Sequence, residues 1–396
     1  MSAPRKISIL GATGSVGLAT LDLIGRAEPG QYEIVALTAN SNARKLADLA
    51  HKFRPRIAVV ADASAGAELA DALSGSGIAT ASGAQALVDA AGMDADWVMA
   101  AIVGSAGLMA SAAALRSGVT LAIANKECLV CAGSLFMETA RARNALVLPV
   151  DSEHNAIFQA LRGEHRKFVE RIVLTASGGP FRDWPVDRMA NVSRADALAH
   201  PTWDMGEKIS IDSATMMNKG LEVIEACRLF DLPPDQVDVV VHPQSIVHGL
   251  VAYSDGSVLA QLGSPDMRIP IAATLAWPDR METPSERLDL AALSRLDFEA
   301  PDLQRFPALV VARDALLHGE GATSALNAAN EVAVAAFLSG RIGFLDIVTT
   351  VSDVLQAMDG HETLPKRFSA FDEALDIDVQ ARRIAEDLIR QRPASP

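Results

Sequence analysis

The chain reads as a three-part α/β protein: a doubly wound parallel sheet first, a mixed α+β part next, and a helical bundle last. Three observations carry this reading. Short apolar runs alternate with alanine- and leucine-rich helical stretches over residues 1–150, which is the signature of a parallel sheet covered by helices. After Asn155 the alternation breaks, and hairpin signals appear. Beyond Pro307 every stretch has helical, amphipathic periodicity.

In the first part, strands are expected at Lys6–Leu10, Glu33–Leu37, Arg56–Val60, Trp97–Ile102, Thr120–Ala124 and Ala145–Val150, with helices such as Ser41–Phe53 and Leu108–Arg116 between them. Ligands of such sheets bind beyond the carboxyl ends of the strands. Those ends carry Gly11, Thr38, Gly104, Asn125-Lys126-Glu127 and Asp151-Ser152-Glu153. In the second part, Glu170–Thr175 and Val237–Val241 read as strands. Gly249–Tyr253 and Val258–Leu262 flank the turn Ser254-Asp255-Gly256-Ser257. Ala199 to Gly206 is too irregular for a regular element and has the character of a functional loop. A helix pattern begins at Ser213 and runs through Phe230. Trp277 to Pro307 is dense in proline and charge, as a linker is. Helices follow at Ala308–Leu317, Ser324–Leu338, Phe344–Met358 and Phe371–Arg390. The boundaries expected are 1–150, 151–278, a linker at 279–306, and 307–396.

Gly11-Ala12-Thr13-Gly14-Ser15-Val16-Gly17 follows the first strand and opens a helix pattern. Glycines there let backbone amides approach a pyrophosphate at a helix N-terminus. The first part is therefore expected to be a Rossmann-like dinucleotide-binding domain. An NAD-type site places an acidic residue about 20 positions on, after the second strand. This chain has Thr38-Ala39-Asn40-Ser41-Asn42-Ala43-Arg44-Lys45 instead. With no carboxylate and two cations, that segment favours a 2′-phosphate, hence NADP.

The charge balance, 35 basic against 49 acidic residues, gives −14 and argues against nucleic acid as a partner. No apolar run reaches the roughly 18 residues of a membrane span, and the N-terminus enters a strand without a signal-peptide core. The three cysteines, Cys128, Cys131 and Cys227, are expected to be reduced thiols of a cytoplasmic protein.

The chemistry concentrates at Leu148-Pro149-Val150-Asp151-Ser152-Glu153-His154-Asn155. If the backbone stays extended there, Asp151 and Glu153 point the same way. Two adjacent carboxylates repel unless a proton or a cation lies between them. Glu222, on the Ser213–Phe230 helix pattern, would be a third carboxylate, unless it only pairs Lys219 on a solvated face. Three carboxylates without His or Cys form a hard site suited to magnesium or manganese. Ser152, Ser177, Ser213, Asn218 and Lys219, with the amides of Ser177-Gly178-Gly179, could cradle a phosphate. Ser213 alone is more often an N-cap, and Ser177-Gly178-Gly179 alone more often a turn.

The motifs GATGSVG (11–17), ANKE (124–127), LPVDSEHN (148–155), SGGPF (177–181), HPTWDMG (200–206), IDSATMMNKGLE (211–222), HPQS (242–245), LAQLGSPDM (259–267) and LNAANE (326–331) occur in order. Together they closely resemble the 1-deoxy-D-xylulose 5-phosphate reductoisomerase family, along essentially the whole chain. The resemblance implies that Asp151, Glu153 and Glu222 hold a divalent cation (magnesium, manganese or cobalt). It implies that Ser177, Ser213, Asn218 and Lys219 hold the substrate phosphate. Lys126, Ser152, Glu153, His200, Trp203 and Glu222 would also meet the substrate, with Lys126 and the three carboxylates catalytic. NADPH would be met by Thr13, Gly14, Ser15, Val16, Asn40, Asn42, Asn125, Glu127 and Gly206. Trp203 and Met205 would lie on a flexible lid, and the protein would be a homodimer acting on a small phosphorylated sugar. One departure stands out. Relatives often read Ala-Gly-Lys-Asn after the second strand, and this chain lacks that lysine, leaving Arg44 and Lys45 as candidate cations. A competing reading, a semialdehyde-dehydrogenase-like enzyme, needs Cys128 or Cys227 as a nucleophile beside a histidine. A third, an NADP-sensing scaffold, needs no chemistry at all.

Overall fold

A computed structural model describes residues 3–164, 166–203, 205–359 and 364–392. Asp204, within the irregular loop, and the last four residues of the helical part lie outside them. The chain forms two compact units. The first comprises Met1–Cys128, Phe136–Asn155 and Asp266–Ser285, and the second Leu129–Leu135, Ala156–Pro265 and Glu286–Pro396.

The first unit alternates strand and helix: β1 (Arg5–Leu10), α1 (Ser15–Gly25), β2 (Tyr32–Ala39), α2 (Ala43–Phe53), β3 (Ile57–Val60), α3 (Gly66–Ala72), β4 (Ala79–Ser82), α4 (Ala84–Ala91), β5 (Trp97–Ala100), α5 (Leu108–Ala114), β6 (Thr120–Ile123), α6 (Glu127–Ala142) and β7 (Leu146–Pro149). All strand pairings are parallel, in the order β4-β3-β2-β1-β5-β6-β7. The order reverses between β1 and β5, and a crevice opens at such a switch point. The apolar runs become central strands because they are covered on both faces: Ile7, Ile9, Leu37, Trp97 and Met99 are buried in one core. The strand β4 has no counterpart among the expected strands. Its residues Ala-Thr-Ala-Ser are partly exposed at the sheet edge and carry no apolar run.

Two segments depart from the expected local structure. The backbone does not stay extended through Asp151-Ser152-Glu153. A helix, α7 (Ser152–Ala160), starts there at once, with Glu153 in its first turn. Carboxylates are favoured at that end of a helix by its dipole, so an acidic pair suits a helix start as well as a strand end. In addition, α6 kinks at Ala132, which has φ −142° and ψ 39°.

The second unit holds β8 (Val169–Ala176), α8 (Val186–Met189), α9 (Arg194–Leu198), α10 (Glu207–Thr215), α11 (Met217–Phe230), β9 (Val237–Val241), β10 (Val247–Tyr253) and β11 (Val258–Leu262). Its sheet runs β11-β10-β8-β9, with β10 antiparallel to both neighbours and β8 parallel to β9. The expected single helix from Ser213 is in fact two helices. Met216, in the left-handed region at φ 63°, separates them, so Ser213 sits in the last turn of α10 rather than at a helix start. Non-glycine residues rarely adopt that conformation, and where they do the surroundings must enforce it; Met216 is buried.

Next α12 (Arg268–Leu275) joins the first unit, where Trp97 Nε1 donates to the Thr274 carbonyl at 3.2 Å and Ile271 and Leu275 enter the core. After the short α13 (Leu290–Leu293), the helices α14 (Ala308–His318), α15 (Glu320–Leu338), α16 (Asp346–Asp359) and α17 (Phe371–Gln391) pack in the second unit. The helix α15 is buried along most of its length, including the polar Glu320, Thr323, Ser324, Asn327 and Asn330. Its buried Glu320 accepts from the amides of Ser134 at 2.6 Å and Phe368 at 2.9 Å.

The turn after β1 depends on two glycines. Gly11 adopts φ +88°, and a Cβ there would lie 2.5 Å from the Ala101 carbonyl oxygen. A Cβ on Gly17 would lie 2.6 Å from Ala12 Cα, against backbone that cannot give way. Gly17→Ala is therefore expected to cost about 1–3 kcal/mol, the usual price of overpacking. Urea unfolding followed by circular dichroism checks this, and an unchanged midpoint would show the turn to be looser than described.

Candidate active site

The first unit contributes a nucleotide turn and an acidic patch. Gly14 caps α1, and Thr13, Ser15 and Val16 complete the turn. The turn is tied to the end of β2: the Gly11 amide donates to Thr38 Oγ1 at 3.0 Å, and the Ala12 amide to the Thr38 carbonyl at 2.7 Å. Gly11 and Gly17 let the turn pack directly against the backbone of Ala101 and Ala12, which holds the start of α1 where a pyrophosphate would meet backbone amides. Asn40 is exposed, and Asn42 caps α2 by accepting from the Lys45 amide. Asn125 is buried; its amide donates to the carbonyls of Gly104, at 3.0 Å, and Ile102, and its Oδ1 accepts from the Cys128 amide at 3.0 Å. It thereby fixes the loop after β5 to the start of α6, where Glu127 is also buried.

The acidic patch stands at the end of β7. Carboxylate oxygens of Asp151 and Glu153 lie within 4.8 Å of one another. Lys126 Nζ lies 2.7 Å from Asp151 Oδ2, with both side chains about nine-tenths buried (10% and 12% exposed). Burial pushes the Asp151 carboxyl up, but the Lys126 ammonium and then His154 together outweigh it, so the group stays well below the usual carboxylate range. His154 Nδ1 is 3.4 Å from Asp151 Oδ1, a contact too long for a firm hydrogen bond, which leaves this buried oxygen under-satisfied. Ser152 Oγ donates to Glu153 Oε2 at 2.6 Å. An under-satisfied anionic oxygen beside a second carboxylate suits a hard divalent cation. His154, directly after the two carboxylates in the chain, is a neighbour of the patch beyond the expected site residues.

The second unit contributes an anion cradle. Gly178 and Gly179 adopt φ +85° and +68°, and a Cβ on Gly179 would lie 2.7 Å from the Ser213 carbonyl oxygen. The Ser177 turn and Ser213 are thus pressed together. His200 Nδ1 accepts from the amides of Thr202 at 3.1 Å and Trp203 at 2.9 Å. The neutral ring therefore carries its proton on Nε2 and donates it to Ser177 Oγ, 3.0 Å away. Burial lowers the His200 pKa, which favours this neutral form. Ser177 Oγ also accepts from the Gly179 amide at 3.2 Å, so its own hydrogen is left to point at a ligand.

On α11, Lys219 and Asn218 both donate to the Glu222 carboxylate. Lys219 and Glu222 are 3% and 1% exposed, which rules out a solvated surface pair. A buried charge pair is retained at a cost in desolvation. His248, also passed over, lies 6.2 Å ring to ring from the half-buried Trp203 and feels the Lys219 charge. Ser177, His200, Trp203, His248, Lys219, Asn218 and Glu222 therefore form one neighbourhood, joined to Ser213 through Gly179. Gly206 is the N-cap of α10 in this same unit. All three cysteines are buried and outside any disulfide, and burial pushes Cys227 up to about 11. Such a thiol is not a poised nucleophile, and the semialdehyde-dehydrogenase-like reading loses its basis.

Taken unit by unit, the molecule is a dinucleotide-binding α/β protein with a metal-competent acidic patch and an anion cradle, the equipment of an oxidoreductase. Comparison with known proteins narrows this class. Family models described as 1-deoxy-D-xylulose 5-phosphate reductoisomerase, and as the C-terminal domains of that enzyme, match residues 7–133, 147–230 and 262–384. A protein of that name from Caulobacter vibrioides is 54% identical over 393 residues, covering 99% of this chain and 98% of its own length. One from Rhodospirillum centenum is 56% identical over 385 residues, covering 97% and 94%. The Zymomonas mobilis enzyme, solved with NADPH, is similar with a TM-score of 0.91 at 51% identity, covering 98% of this chain and 100% of that one. A reductoisomerase solved with NADPH, fosmidomycin and magnesium matches with a TM-score of 0.94 at 44% identity, covering 98% of each. This chain belongs to the 1-deoxy-D-xylulose 5-phosphate reductoisomerase family.

His248 gives the site a pH signature. Burial first, and the nearby charges of His242 and Lys219, push its pKa down to about 4, although it hydrogen bonds the Gly263 carbonyl at 3.2 Å. Unfolded histidine takes up its proton near pH 6.5. Between that pH and about 4, the unfolded chain binds the extra proton and the native one does not. Stability should therefore fall as pH drops through this window, by about 2–3 kcal/mol at the lower end. Urea unfolding at pH 7 and pH 4.5 measures the fall, and His248→Gln should flatten it; an equally steep fall in the variant would assign it to other groups.

Proposed function

We propose that this protein catalyses the NADPH-dependent rearrangement and reduction of 1-deoxy-D-xylulose 5-phosphate to 2-C-methyl-D-erythritol 4-phosphate, in the methylerythritol phosphate route to isoprenoids. The observation that carries the reading is full-length kinship, 54% identity over 393 residues, in a chain that keeps both the glycine turn and the acidic patch. The enzyme is an NADP-dependent, divalent-metal-dependent oxidoreductase. On this reading residues 1–150 bind the nucleotide, 151–278 carry the catalytic groups, 279–306 form a linker and 307–396 a helical support.

Asp151, Glu153 and Glu222 are assigned to the cation. When bound, the cation would supply Lewis-acid polarisation to the hydroxyketone oxygens, and the nicotinamide a hydride. The rest falls to the chain's own groups. Ser177, Ser213, Asn218 and Lys219 bind the phosphate, and Ser177 donates its hydroxyl hydrogen because His200 Nε2–H and the Gly179 amide occupy its acceptor side. Anchoring the phosphate, remote from the reacting carbons, orients those carbons and turns binding energy into rate. Lys126 holds a proton on Nζ beside Asp151, keeping a positive charge where the substrate oxygens become more negative. Ser152 and Trp203 complete the substrate contacts, while Thr13 to Val16, Asn40, Asn42, Asn125, Glu127 and Gly206 are assigned to NADPH. The net change is a skeletal rearrangement to an aldehyde, then addition of hydride to the aldehyde carbon and a proton to its oxygen.

The reading extends to a cytoplasmic homodimer able to use manganese or cobalt as well as magnesium. The pairing is supported by β11, an open sheet edge with Val258 and Leu259 exposed at 54% and 44%, since such an edge is a template for a second strand. No helix among the described residues is long and apolar enough to cross a membrane.

Two measurements test the reading. Oxidation of NADPH with 1-deoxy-D-xylulose 5-phosphate should stop with chelator and resume with magnesium, manganese or cobalt. Asp151→Asn should lose at least about 100-fold in kcat while still binding NADPH. Full turnover in metal-stripped protein would sink the metal assignment, and no turnover of this substrate with any of the metals would sink the function. Trp203→Leu should keep its melting temperature and raise KM for the substrate, because the loop closes over the site and excludes water. A variant that melts several degrees lower with its KM intact would make Trp203 a packing residue only.

A further inference from the structure

Arg44 and Lys45 are the candidate cations for the phosphate that distinguishes NADPH from NADH, and their surroundings differ. Resting on the NADPH reading, we propose that Lys45 is the fixed cation for the adenosine 2′-phosphate and that Arg44 is a second cation, held on Glu68 until the nucleotide arrives.

The carboxyl end of the second strand is where a dinucleotide fold reads the ribose 2′ position. Here β2 ends at Ala39 and is followed by Asn40, Ser41 and Asn42, all exposed and none acidic. Thr38 ties this strand end to the glycine turn through two hydrogen bonds, of 3.0 and 2.7 Å. Lys45 bridges the same two places. It lies in the first turn of α2, and its Nζ donates to the Thr13 carbonyl at 2.9 Å. Its backbone amide is held at 3.1 Å by Asn42 Oδ1. One ammonium hydrogen is thus spent on orienting the side chain, and an ammonium has two more to offer. The cation is pre-positioned at the junction of the pyrophosphate turn and the ribose-reading strand end, so binding loses little side-chain entropy there.

Arg44 behaves differently. Its side chain is 88% exposed, and its Nε pairs Glu68 Oε1, on α3, at 2.7 Å. A solvated pair of this kind holds weakly, whereas a guanidinium fork matches a phosphate with two parallel hydrogen bonds. A 2′-phosphate therefore competes well for Arg44, and Glu68 both releases it and opposes the incoming charge. Removing that carboxylate should favour the phosphate.

The test measures binding directly, by titration calorimetry on the full chain with NADPH, NADH, adenosine 2′,5′-bisphosphate and 5′-ADP. Wild type should prefer the 2′-phosphorylated member of each pair. Lys45→Met should weaken NADPH about 10- to 100-fold, the range of a lost charge-assisted contact, while changing NADH less than about twofold. Lys45→Arg should retain the preference. Arg44→Ala should weaken NADPH by a smaller factor, and Glu68→Gln should tighten it unless Arg44 is also removed. Equal loss of NADPH and NADH in Lys45→Met, with a lower melting temperature, would make Lys45 a structural tie and overturn the proposal. Unchanged affinities in both Arg44→Ala and Glu68→Gln would remove Arg44 from it. A wild type without preference between the members of each pair would instead overturn the NADPH reading beneath it.

Discussion

Charge repulsion at the end of β7 is the constraint on which the first unit's chemistry depends. Asp151 and Glu153 bring carboxylate oxygens within 4.8 Å of each other in a largely dehydrated setting. Such a pair persists only if positive charge stands close. Lys126 meets that need from the start of α6, 2.7 Å from Asp151, and the start of α7 adds its dipole beneath Glu153. The compensation is incomplete, since one Asp151 oxygen is left under-satisfied. Lys126 thus holds one Asp151 oxygen in a salt bridge and leaves the other to attract a cation.

The second unit solves the opposite problem. An anion cradle must keep donors apart from acceptors that would quench them. Gly178 and Gly179 turn the chain so tightly that the Ser177 loop rests on the Ser213 backbone. His200 is locked by two backbone amides into the tautomer that donates to Ser177. Lys219 is held on Glu222 inside the fold, which stores a cation and a carboxylate together where both have assigned partners. The half-buried Trp203 lies on the same loop as His200, so loop position and histidine orientation are coupled.

Much of this was legible in the chain. The glycine turn after β1 and the absence of an acid after β2 follow from local residue types, because a pyrophosphate turn and a ribose-reading strand end place demands on particular positions. The four long C-terminal helices follow from periodicity alone, as their apolar stripes are continuous. The misses have equally local causes. The strand β4 is an edge strand of small, half-exposed residues, with too little apolar signal to register. Asp151 and Glu153 were matched by extended-chain geometry, but a helix begins at Ser152 because its first turn accommodates acidic groups. Ser213 looked like a helix start, yet the break falls at Met216, a residue whose side chain gives no hint of a left-handed backbone.

The sequence by itself determined the class of chemistry: which groups are anionic, which are cationic, where backbone must approach a ligand, and which family the ordered motifs resemble. Those are properties of residue type and short spacing, and they survive without a fold. Only the tertiary structure decided the state of each group. Burial places Lys219 and Glu222 inside rather than on a solvated face, depresses His248, raises the Cys227 thiol beyond use as a nucleophile, and sets Lys45 on the Thr13 carbonyl while Arg44 stays exposed on Glu68. Desolvation and partner distance depend on segments far apart in the chain, and no local pattern encodes them.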